Sequence, residues 1–82
     1  MRFRATIHVQ LKADVADVQG MAIQQSLARH GETVSAVKAG KYFELELDAK
    51  DLADATARVQ HLAQETFSNP VIERSWHEVT PA

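Results

Sequence analysis

The sequence predicts an α+β fold, with an antiparallel sheet carrying two helices. Three observations predict it. Phe3, Ala5, Ile7, Val9 and Leu11 alternate with Arg4, Thr6, His8, Gln10 and Lys12, and alternation at every second residue is the strand period. Phe43, Leu45 and Leu47 alternate in the same way with Tyr42, Glu44, Glu46 and Asp48. Elsewhere, apolar residues recur three and four apart, which is the helical period.

The elements follow in order. The first alternating run is the first strand. Asp14 and Asp17 follow it as helix caps, because a carboxylate there accepts from the free amides of a first turn. A helix is predicted over residues 17–30. Ala16, Gly20, Ile23 and Leu27 share one face at spacings of four, three and four. Gly20 on that stripe predicts a close approach of the helix to the sheet. Gly31 ends the helix, as the residue most easily placed in the left-handed region. Residues 34–39 read as a second strand, with Val34 and Val37 out of phase, which predicts a bulge or twist. Gly40 and Lys41 leave almost no loop before the run at Phe43. A tight hairpin with Gly40 at positive φ is therefore predicted.

Asp48 and Asp51 mark the next helix start. Leu52, Ala55, Val59, Leu62 and Thr66 recur at three-four-three-four spacing and make that helix amphipathic. Ser68-Asn69-Pro70 breaks it, since proline disfavours helical geometry at the residue before it. A last strand is predicted over residues 71–79, with Thr80, Pro81 and Ala82 as a tail. The order is βαββαβ. It describes a two-layer sandwich of ferredoxin-like topology, with an antiparallel sheet and two helices on one face.

Size and composition narrow the function. The 82 residues are read as a single domain, 1–82. Such a chain buries only about 60% of its unfolded surface, so help from an oligomer or a partner is expected. A net charge of −2 argues against a nucleic-acid backbone as partner. The sequence has no cysteine, hence no disulfide, no thiolate nucleophile and no cysteine metal site. The first residues alternate without a long apolar run. Neither a signal peptide nor a membrane span is expected, and the reading is a cytoplasmic protein.

Reactive constellations are scarce. His8, His30, His61 and His77 have no metal-like spacing. His8 and His77 fall on strands, where they could meet across the sheet as structural histidines. Lys41 beside Gly40 lacks the repeated glycines and the lysine-hydroxyl pair of a phosphate loop and reads as a charged hairpin tip. Glu44, Glu46 and Asp48 form the solvated face of a strand. Arg2, Arg4 and Lys12 are within reach of them, in exposed pairs that contribute about 0–1 kcal/mol each and serve register. Ile72 and Trp76 share one face of the last strand, and Val71 and Val79 the other. A strand apolar on both faces is often covered on both. Aromatic anchors are enriched at interfaces, so Trp76 is read as packing against a second chain. No catalytic, cofactor-binding or metal-ligating residue emerges.

Several segments together resemble a known family. Gly40-Lys41-Tyr42-Phe43-Glu44-Leu45, Phe67-Ser68-Asn69-Pro70-Val71-Ile72-Glu73, Val9-Gln10-Leu11-Lys12 and Gln19-Gly20-Met21-Ala22-Ile23 are similar, in order and over nearly the whole chain, to the PurS family. These are the small subunits of phosphoribosylformylglycinamidine (FGAM) synthase. One departure is Val18, where the family often has proline before the glutamine-glycine pair. The resemblance implies the same six-element sandwich, assembled as a homodimer or a dimer of dimers. It implies two further partners, a glutaminase subunit and an ATP-dependent synthetase subunit. The complex makes formylglycinamidine ribonucleotide from formylglycinamide ribonucleotide, ATP and glutamine in purine biosynthesis. ATP and Mg would be used by the synthetase and no cofactor bound by this chain, whose part is a structural bridge. The candidate partner or oligomer contacts are Gly40, Lys41, Tyr42, Ser68, Asn69, Pro70, Ile72 and Trp76. The missing cysteine agrees with this role, since a glutaminase of this kind needs that nucleophile.

Three other functions compete. A small-ligand regulatory module of the amino-acid-sensing type shares the topology and would need an effector pocket, usually at a dimer interface. An RNA-binding sheet needs stacking aromatics on its open face, and Tyr42 stands there among acids. An acylphosphatase-like enzyme would want an arginine after the first strand, and Ala13-Asp14-Val15-Ala16 has none.

Overall fold

In the computed structural model, which describes residues 1–82, strand β1 (Arg2–Leu11) is the central element. The others are α1 (Val18–Arg29), β2 (Gly40–Asp48), α2 (Leu52–Leu62), a π turn (Ala63–Phe67) and β3 (Glu73–Pro81). The sheet has the order β2-β1-β3, and both outer strands run antiparallel to β1. The α+β class and the antiparallel sheet of the ferredoxin-like plan hold, with the second strand and the placement of α1 as exceptions. The alternation in β1 sorts its side chains as expected: Phe3, Ala5, Ile7 and Val9 are buried, while Arg2 and Arg4 on the other face are exposed.

The core lies between this inner face and α2. Ala5, Ile7 and Val9 meet Val59 and Ala63, and Phe3 meets Ala49 and Ala55. Phe43 of β2 tilts against Phe67 with ring centres 4.8 Å apart. Asp51 caps α2 as predicted, its carboxylate accepting from Asp54 N at 2.8 Å. The inward stripe of α2 begins on Ala55 and Val59. The helix then widens by one residue into the π turn, so Ala63 and Phe67 turn inward and Thr66 stays exposed. A π turn inserts one residue per turn and shifts every later side chain, which a constant 3.6 spacing does not anticipate.

Four expectations are corrected. Residues 34–39 pair with no strand of this chain and are not a second strand. The Gly40–Lys41 hairpin is absent: Gly31, with φ 84°, is the only glycine at positive φ, and Gly40 begins β2 opposite Gln10. Glycine is needed at position 40 for a different reason. A Cβ there would lie 2.6 Å from Val9 O and 3.0 Å from Gln10 Cγ, so Gly40 is where two backbones come close. The last strand is Glu73–Pro81, starting two residues late because Asn69 to Ile72 form a turn, and including Pro81 because proline is tolerated at the end of an edge strand.

The fourth correction concerns α1. Its bounds, the Asp17 cap and the Gly31 stop are as predicted, yet it does not lie on the sheet beside α2. Gly20 is its only buried residue, and the close approach that Gly20 permits is to the Val37 carbonyl in the 34–39 segment. Because no hairpin reverses the chain at Gly40, α1 and residues 34–39 project from the sheet as an arm. The radius of gyration is 16.2 Å and the extents are 51 × 26 × 15 Å, where a compact chain of this length measures about 12 Å.

Gly40→Ala tests the close approach, since Gly40 has no positive φ that an added Cβ would strain. The substitution is expected to lower stability by about 1–3 kcal/mol through overpacking against β1, measured by urea unfolding at fixed protein concentration. An unchanged midpoint would contradict the packing.

Candidate partner interface

The predicted contact residues come from two distant stretches of sequence, and the sheet register gathers most of them at one end. Gln10 pairs with both Gly40 and Arg74, and His8 pairs with both Tyr42 and Trp76. On the face away from α2, these side chains form a row across all three strands. His8 stacks on Trp76 with ring centres 5.2 Å apart and planes within 4°. Tyr42 tilts against the other side of His8, centres 5.1 Å apart. The Arg74 guanidinium sits 5.0 Å from the Trp76 ring centre and donates to Gln10 Oε1 at 2.8 Å. A cation over an aromatic face and stacked rings are both favourable contacts, so the row is held in one arrangement while Tyr42 and Trp76 stay exposed.

The loop before β3 lies at the same end. Ser68 Oγ donates to Ala63 O at 2.6 Å and closes the π turn. Asn69 Oδ1 accepts from Val71 N, and Asn69 O accepts from Ile72 N and Glu73 N. Lys12 N donates to Ile72 O at 2.9 Å, joining the loop to the end of β1. Glu73 binds on two sides: one carboxylate oxygen accepts from Asn69 N at 2.7 Å, and the other is 3.5 Å from Lys41 Nζ. Its side chain is 12% exposed, so this pair is worth more than the open surface pairs. The result is a fixed loop holding Val71, 77% exposed, and Ile72 out to solvent.

Sequence reading missed four members of this site, His8, Gln10, Glu73 and Arg74. His8 is in it and His77 is not: His77 pairs with Ile7 on the inner face, so the two histidines lie on opposite sides of the sheet. Glu73 has no pattern in the sequence that marks it as an anchor, and only its contacts to Asn69 and Lys41 reveal it. Only the register of β1 against both neighbours joins Tyr42, His8 and Trp76, and no local pattern encodes it. At the far end of the same face, Arg2 donates to Asp48 at 3.2 Å and to Glu46 at 3.4 Å, the pairing predicted for register. Arg4 stands opposite Glu46 without bonding to it, because Glu46 goes to Arg2. Lys12 lies past the end of β1 and reaches none of these acids.

Two titrating groups stand out. The hydrogen bond and charge of Asp48, then those of Glu46, hold Arg2 above its ordinary value. Asp17 is held below the usual carboxylate value, first by the Gly20 amide and then by the Ala39 amide. No three His, Asp or Glu side chains are arranged to hold a metal ion. The surface grooves are open, the largest about 340 Å³ beside Arg58 and His61, at the lower limit of about 300 Å³ for small-molecule sites.

These features define a class: a small α+β chain with an aromatic row on an open sheet face and a helix that stands off its own sheet. The family model described as phosphoribosylformylglycinamidine (FGAM) synthase, PurS, matches residues 4–81. The chain belongs to the PurS family. The PurS subunit of Mycobacterium leprae is 44% identical over 71 residues, covering 85% of this chain and 86% of that one. Bacillus subtilis PurS superposes with a TM-score of 0.82 at 33% identity, over 95% of this chain and 98% of that one. A chain in the PurLQS structure of Thermotoga maritima superposes with a TM-score of 0.89 at 28% identity, over 98% and 99% of the two chains. The family places this chain in purine biosynthesis, as a subunit of the ligase complex FGAM synthase.

Two outcomes follow. Glu73→Ala removes the two ties that the Glu73 carboxylate makes, to Asn69 N and to Lys41, and leaves the Lys12–Ile72 bond. Amide exchange at Asn69 is expected to rise about tenfold, with a loss of about 1 kcal/mol in global stability, read by hydrogen-exchange NMR; an unchanged Asn69 rate would contradict the anchoring. Asp17 has a depressed folded value, so its contribution is complete above the unfolded carboxyl value and is lost as pH falls through the folded one. Asp17→Asn should flatten the stability curve below about pH 4, measured as the urea midpoint against pH.

Proposed function

We propose that residues 1–82 form one non-catalytic domain that bridges the partners of FGAM synthase. In this reading it acts in the cytoplasm with PurL and PurQ, which between them supply a glutaminase and an ATP-dependent synthetase using ATP and Mg. Ammonia released from glutamine must reach formylglycinamide ribonucleotide before it is protonated or lost, and a rigid subunit that fixes the two enzymes in register serves that transfer. The observation that carries the reading is the ordered, exposed end of the sheet. There Gly40, Lys41, Tyr42, Ser68, Asn69, Pro70, Ile72 and Trp76 converge beside residues that hold them in place. Aromatic side chains fixed in this way lose little conformational freedom on docking.

The reading includes self-association as a homodimer, with a dimer of dimers as the larger form. The chain exposes 5775 Å², against about 4,900 Å² for a compact protein of its mass. The excess, roughly 900 Å², is close to the ~800 Å² that each partner gives to a standard interface. The arm carries part of the exposed apolar surface, at Val18, Met21 and Ile23. In a ferredoxin-like sandwich the first helix covers the sheet beside the second. Here the inner face of β2, with Phe43, Leu45 and Leu47 half-buried, is the seat that α1 of a second copy fits.

The family match and the relatives, which are FGAM synthase subunits, do not favour a regulatory ligand module. The test is reconstitution. Mixed with PurL and PurQ from the same source, the chain should restore glutamine-dependent turnover and co-elute with both, and Tyr42→Ala/Trp76→Ala should weaken co-elution at least tenfold, as expected for aromatic anchors. Full glutamine-dependent turnover without the chain would overturn the bridge.

A further inference from the structure

α1 and residues 34–39 are tied to each other more closely than either is tied to the sheet. Asp17 sits at the root of the arm, where the chain enters α1 and where it returns to β2. One carboxylate oxygen accepts from Gly20 N at 2.8 Å, which is the helix cap. The other accepts from Ala39 N at 2.8 Å, across 22 residues of sequence. Capping needs only the first bond, so the second is a separate function of the same side chain. Farther out, Gln24 Nε2 donates to Val34 O at 2.8 Å. At Gly20 a Cβ would overlap the Val37 carbonyl and lie 2.6 Å from the Asp17 carboxylate, so the helix and the segment touch backbone to backbone. At the tip, Gly31 at φ 84° reverses the chain and Glu32 N donates to Leu27 O at 2.9 Å.

The arm is therefore a helix and a returning segment closed at the tip by Gly31, in the middle by Gln24 and at the root by Asp17. Only the root contact controls its angle to the sheet, because Ala39 is the last residue before β2 begins at Gly40. We propose that Asp17 is the positioning residue that locks α1 and residues 34–39 into one rigid arm, set at the angle at which it meets a second copy of this chain. The inference rests on the homodimer reading above. A carboxylate with both oxygens on amides makes two charge-assisted bonds, and an arm ordered in advance does not lose that freedom on association.

The test separates the cap from the clasp. Asp17→Ser keeps an acceptor for Gly20 N and is too short to hold Ala39 N as well. Asp17→Asn keeps a strong cap and turns an amide donor toward Ala39 N. Self-association is measured by sedimentation equilibrium, helix content by circular dichroism and the Ala39 amide by hydrogen exchange. Expected for both variants are helix content like the wild type, faster exchange at Ala39, and a dimer dissociation constant raised about tenfold, the scale of one lost charge-assisted bond. If Asp17→Ser loses helix, Asp17→Asn decides. A dimeric wild type with unchanged association in Asp17→Asn overturns the clasp alone. A wild type that stays monomeric at every concentration overturns the homodimer reading and, with it, the clasp's role in association.

Discussion

Every buried contact of consequence in this protein depends on β1 being paired on both sides. Its inner residues Phe3, Ala5, Ile7 and Val9 are nearly half of the buried set, and α2 has no other surface on which to place Ala55, Val59 and Ala63. The same strand sets the outer face. Because His8 is opposite Tyr42 and Trp76 at once, a slip of one residue on either side would send one ring to the core face and break the row. Core and candidate interface are thus two faces of one register.

The core that results is small for a folded chain, and the reason is topological. A hairpin at Gly40 would turn residues 34–39 back along β2 and bring α1 down beside α2. The chain instead runs straight into β2, because Gly40 is used for close approach to Val9. The sheet edge at β2 and the apolar side of α1 are left uncovered by the rest of the chain, and the arm is held together by its own ties at Asp17, Gln24 and Gly31.

What was legible in the sequence follows the range of the forces. The alternation of β1 and of Phe43 to Leu47, the caps at Asp17 and Asp51, and the stop at Gly31 are local and were readable. The role of Gly40 was not, since a glycine at a turn and a glycine under a neighbouring backbone look alike in sequence. The stripe through Leu52 and Thr66 was half right, because the π turn that replaces Thr66 by Phe67 answers to packing against Phe43. The aromatic row needed three strands in register, and the detachment of α1 needed the absence of a hairpin. Neither is encoded in any short window. The family resemblance, which spans nearly the whole chain, supplied function where local chemistry had none to offer.

In the proposed dimer, the arm of one chain lies over β2 of its partner and completes that sheet layer. The absence of cysteine allows a single spin label at Ala22→Cys on α1. Mixed with an isotopically labelled, unmodified copy, it should broaden the amide signals of Phe43, Leu45 and Leu47 in the labelled chain. Signals in that chain left unbroadened at every mixing ratio would contradict the claim.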